Sequence, residues 1–119
     1  MSTPSPIGRA TYHDLESLPD DVIGEIVSGE LSATPRPAGP HTVATSAASG
    51  SLVPPFQFGD GGPGGWWILV EPEVHLGEDV VVPDLAGWLR TRMPGVPGDP
   101  FIEIDLLRLW GEGLVTGQA

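Results

Sequence analysis

Residues 66–88, WWILVEPEVHLGEDVVVPDLAGW, limit the possible folds of this chain more than any other stretch. They hold its densest run of large apolar side chains. Two apolar runs, Trp66–Val70 and Val80–Val82, flank the polar turn Leu76-Gly77-Glu78-Asp79, which reads as a β-hairpin. Asp84 follows Val80-Val81-Val82-Pro83, at the point where the second strand leaves the apolar layer. With the turn centred near Glu78, Pro72–Val74 falls opposite Val82–Asp84. Glu71 or Glu73 then neighbours Asp84, and a slip of one residue decides which.

The rest of the chain is short and loop-rich. Its 119 residues allow one domain with a modest core, and 17 glycines and 14 prolines imply long irregular connections. Residues 1–10 read as a disordered leader without the apolar centre of a signal peptide. Thr11 is placed to cap a short helix with apolar positions at Tyr12, Leu15 and Leu18, and Pro19 ends it. Strand formers on either side of Ser28-Gly29 predict a hairpin, Ile23–Val27 with Glu30–Thr34. Residues 35–40 are a loop. A helix is expected from His41 to Val53, stopped by Pro54-Pro55, followed by a glycine-rich loop from Phe56 to Gly65. That loop lacks the GxxxxGK[ST] pattern of a phosphate cradle. Beyond Trp88 come a basic exit (residues 89–94), a loop (95–100) and a short alternating strand, Phe101–Ile104. Asp105–Trp110 reads as a helical turn and Gly111–Ala119 as an unstructured tail.

Charge narrows the function. The formal net charge is −11, from sixteen acids against five arginines and no lysine. A protein that tracks a nucleic-acid backbone carries a basic stripe, so this balance argues against tight DNA binding by the chain alone. There is no cysteine for a disulfide or a thiolate metal site. No run approaches the roughly 18 apolar residues of a membrane span, so a soluble cytoplasmic protein is expected.

Three acids sit in apolar surroundings: Glu25 within the first hairpin, Asp84 after VVVP, and Glu103 within FIEI. A carboxylate there must be solvated, paired or bound to a cation. Mg²⁺ takes oxygen ligands, commonly one or two carboxylates completed by water and phosphate, and a strand-end aspartate suits it. Spacing alone favours a solvated Asp84 that caps the following turn, and favours outward-pointing Glu25 and Glu103 more strongly still. His13, His41 and His75 show no ligand spacing and read as surface or loop residues. No GxSxG nucleophile motif is present. Trp66, Trp67, Trp88 and Trp110 read as core filler, not a base-stacking platform.

Several segments together resemble one family. Thr11-Tyr12-His13-Asp14-Leu15, Gly24–Leu31 and Thr34-Pro35-Arg36-Pro37 are similar to the N-terminal portion of Uma2-family proteins. So are Gly62–Ile68, Glu71-Pro72-Glu73, Leu76–Asp79 and, above all, Val82-Pro83-Asp84-Leu85-Ala86-Gly87-Trp88. The family consists of restriction-endonuclease-like proteins of the PD-(D/E)xK nuclease-like superfamily. The resemblance runs from about Thr11 to Glu103. It implies an α/β (α+β) fold, a mixed sheet flanked by helices, and Mg²⁺-dependent cleavage of DNA phosphodiesters. It also implies that Asp84 is the metal aspartate of the PD half-motif, with Glu25 the acid from the first strand region.

The departures are as informative. In the family a further acid-bearing strand and a lysine-containing helix follow; here the match fades after Phe101 and there is no lysine. Glu103-Ile104-Asp105 supplies acids for a catalytic and metal role at Glu103, but not the cation. Arg108 is a poor substitute because it stays protonated. The expectation is therefore a leader (1–10), a partial, C-terminally truncated domain (11–104) and a divergent tail (105–119), inactive alone. The alternative is a non-catalytic remnant or interaction module, with a second copy or a partner chain completing the sheet.

Overall fold

The computed structural model describes residues 8–104. In chain order these form α1 (Tyr12–Glu16), β1 (Val22–Val27), β2 (Glu30–Pro35), α2 (Pro40–Leu52), β3 (Trp66–Val70), β4 (Val74–Leu76), β5 (Asp79–Val81), β6 (Leu85–Leu89) and β7 (Ile102–Ile104). One sheet has the order β2-β1-β5-β4-β7, and β3 pairs with β6 in a second. The β4–β7 pairing is parallel and the others are antiparallel. This is the expected α+β architecture, a mixed sheet with helices against it. The expected leader falls largely, and the turn at Asp105–Trp110 and the tail wholly, outside the described residues.

Local chemistry explains the first elements. Thr11 caps α1: its hydroxyl accepts the Asp14 N–H, and the Asp14 carboxylate accepts the Thr11 N–H in return. The first hairpin turns on Ser28 (φ 53°) and Gly29 (φ 83°), the double left-handed pair of a two-residue turn. The Ser28 N–H is also bound by the Asp79 carboxylate at 3.0 Å, which ties that turn to β5.

Residues 66–89 form a single antiparallel ribbon that changes sheets midway. Trp66–Val70 pairs with Leu85–Leu89, and Val74–Leu76 with Asp79–Val81. Between the two ladders, Glu71-Pro72-Glu73 faces Val82-Pro83-Asp84, so neither strand gains a residue. The two prolines lack the N–H that a ladder needs, and pairing lapses where they meet. One bond crosses the gap, from the Glu71 N–H to the Asp84 carbonyl at 3.0 Å. The expected hairpin is thus corrected in two respects. The partner of Trp66–Val70 is Leu85–Leu89 and not the valine run, and the register is one residue from that expected.

The core has two parts. Ile26, Leu31 and Val80 pack beneath Tyr12, Leu15 and Leu18 of the α1 segment. Gly24 permits this contact, because a Cβ there would lie 2.5 Å from Leu18 Cδ1. Val74, Ala86, Trp88 and Ile102 form the other part, where β6 packs on β4 and β7. Alternation along β6 turns Ala86 and Trp88 inward, which bears out core filling for Trp88. α2 ends at Leu52 close to the expected stop, but Pro54-Pro55 do not halt the coil at once. They sit in a π-helical turn, Val53–Gln57.

Candidate functional site

The lapse in the ribbon creates the site. Asp84 stands at the bend, between the end of β5 and the start of β6, outside both ladders. Glu25 reaches the same place from β1. Gly24 and Ile26 face α1, so strand alternation turns Glu25 to the other face. Its carboxylate accepts the Val82 N–H at 2.8 Å, two residues before Asp84. Glu25, Asp84, His41 and Thr34 line one open cleft of about 290 Å³, with Ile23 and Val82 as its apolar wall.

His41 closes the third side. Gly39 (φ 59°) turns the chain, and Pro40 opens α2 with a ring that needs no N–H. His41, the next residue, lies with Nε2 3.0 Å from Asp84 Oδ1. An ionised carboxylate only accepts, so Nε2 carries the proton. The pair is open to solvent, with the two side chains 48% and 60% exposed. No local spacing could reveal this contact, which joins residues far apart in sequence; the proline–histidine start of a helix is its only trace.

Two of the three candidate acids therefore line the same cleft and the third does not. Glu103 lies on β7, in register with His75, with β5 and β4 between it and β1. At about 4.8 Å per strand its backbone is roughly 14 Å from that of Glu25. It faces solvent and is not part of the cleft wall. The question left open between Glu71 and Glu73 is resolved for Glu71, whose N–H binds the Asp84 carbonyl.

Glu73 serves another cluster. Its Oε2 accepts the Tyr12 hydroxyl at 2.7 Å and lies 2.9 Å from His75 Nε2. His75 stacks on Phe101 at 4.0 Å between ring centres, with Tyr12 edge-on at 5.0 Å. The Glu73 carboxylate, aided by burial and by Glu16, pushes the Tyr12 phenol up to about 12. His75 is a half-buried packing residue here, not a surface one.

The donor chemistry suits a hard cation. Each carboxylate has one oxygen engaged, Glu25 Oε2 by Val82 and Asp84 Oδ1 by His41. The second oxygen of each makes no hydrogen bond among the described residues. Among those residues no three His, Asp or Glu side chains form a group that could enclose a metal ion. Two carboxylates would leave the other positions of a divalent cation to water or to a phosphate oxygen.

No protein-family profile matches the sequence, and no curated protein does. Among solved structures, the fold is similar to that of a DUF820 protein from Anabaena variabilis ATCC 29413, which is proposed to be a nuclease. The TM-score is 0.58 at 19% identity, over 77% of this chain and 51% of that one. The chain thus spans about half the length of that protein. The likeness shows that the two chains share a fold, of the α+β class that the Uma2 resemblance implies. Among the described residues no helix is long and apolar enough to cross a membrane.

Proposed function

We propose that this chain is a Uma2-like nuclease domain in which Glu25 and Asp84 hold a divalent cation, Mg²⁺ by donor type, but which does not cleave DNA alone. The observation that carries this is the meeting of Glu25 and Asp84, from β1 and the ribbon bend, on one open cleft. When bound, the cation supplies charge stabilisation at a phosphodiester and eases deprotonation of the attacking water. Glu25 and Asp84 orient it; Ile23 and Val82 shield one side of the cleft.

Two facts argue for inactivity in isolation. The sequence has no lysine to complete the nuclease motif, and a charge of −11 repels a polyanion. The same facts support a second reading, a non-catalytic interaction module. The outer edge of β7 has no partner strand among the described residues, which suits pairing with a second copy or another chain. Plasmid nicking in Mg²⁺, run beside Asp84→Ala, tests the proposal. No Asp84-dependent cleavage is expected. Cleavage abolished by the substitution would overturn the claim of inactivity.

A further inference from the structure

We infer that His41 is the positioning residue of this site: its Nε2–H fixes Asp84 so that the free carboxylate oxygen is held for the cation. The inference rests on the reading of Glu25 and Asp84 as a cation site. The chain has no lysine, and among the described residues His41 is the only histidine or arginine on the wall of that cleft.

The geometry explains why a positioning group is needed. Asp84 lies outside both ladders of the ribbon, and its neighbour Pro83 donates no hydrogen bond. Its backbone is tied once, through the Glu71 N–H. Beyond that, the described residues offer its side chain a single hydrogen bond, the one from His41 at 3.0 Å. A half-exposed aspartate with no such bond samples several rotamers, and each ordered ligand must be fixed before a weakly held cation benefits. His41 is itself held by chain geometry, at the second position of a helix whose entry is set by Gly39 and Pro40. The bond needs only a proton on Nε2, which the neutral imidazole can also carry. Groups that orient ligating carboxylates typically change metal affinity by about 10–100-fold.

The test is calorimetric titration of Mn²⁺ into the full chain and its Asp84→Asn, His41→Ala and His41→Gln variants. Glutamine carries an amide N–H close to where imidazole Nε2 stood. Expected are loss of binding in Asp84→Asn, about tenfold weaker binding in His41→Ala, and near-complete recovery in His41→Gln. Unfolding midpoints should not move, because the pair is solvent-exposed. Wild-type affinity in His41→Ala, with binding still lost in Asp84→Asn, overturns the role of His41 alone. Absence of Mn²⁺ binding in the wild type, or its persistence in Asp84→Asn, overturns the cation site and this inference with it.

Discussion

Glu25 binds the backbone N–H of Val82 at 2.8 Å, so the first hairpin holds the strand that presents Asp84. The bond is half-buried and serves both fold and site. Glu25→Ala leaves the Val82 N–H unpaired and should cost about 1–3 kcal/mol in urea unfolding. Glu25→Gln keeps an acceptor oxygen and should cost under about 1 kcal/mol while removing the negative charge. Equal losses in the two variants would show that the charge, and not the hydrogen bond, secures the strand.

Two glycines give opposite signs. A Cβ on Gly62 would stand 2.5 Å from Pro55 Cβ and 2.8 Å from the Pro55 carbonyl oxygen. Neither can move without shifting the backbone, so Gly62→Ala should cost about 1–3 kcal/mol. Gly50 lies inside α2 with nothing within 4 Å of its added Cβ. There alanine should stabilise by about 1 kcal/mol. Thermal unfolding of the pair checks both.

Tyr12 is the only tyrosine, so its ionisation can be followed by ultraviolet absorbance. Folding raises the phenol from its ordinary 10.0 to about 12 because Glu73 favours the protonated form. The contribution to stability is therefore complete below pH 10 and is lost as pH rises through about 12. Glu73→Gln should bring the titration back towards the ordinary value. An unchanged midpoint would show that Glu73 is not its cause.

Trp88 anchors the second part of the core and is only 2% exposed. Trp88→Ala should destabilise by about 3–5 kcal/mol in denaturant unfolding. Its indole N–H has no acceptor among the described residues, and burial of such a group costs about 1–3 kcal/mol. Trp88→Phe removes that penalty along with some volume, so the net loss should be less than half that of alanine.

The elements fixed by neighbouring residues were legible in the sequence. Thr11 and Asp14 announce the helix start, Ser28-Gly29 the hairpin, and the alternation in Phe101–Ile104 the last strand. The ribbon was half legible. Its strands and turn follow from apolar runs, but its passage between two sheets depends on what Trp88 and Val80 pack against, which no local pattern encodes. The site behaves likewise. Asp84 after VVVP and Glu25 within its strand both stand out by apolar context, and the resemblance points to the same two. Glu103 shared their apolar context, yet its strand sits at the far end of the sheet order. His41 carries no spacing mark in the sequence, because its contact is made by the approach of α2.

The central claim is that Glu25 and Asp84 form one cation site, and the broadening of backbone amide NMR signals by substoichiometric Mn²⁺ tests it most directly. The account predicts broadening centred on Glu25, Val82 and Asp84 and abolished in Asp84→Asn. Broadening centred instead on Glu73 and His75, or spread evenly over the acidic surface, would contradict it.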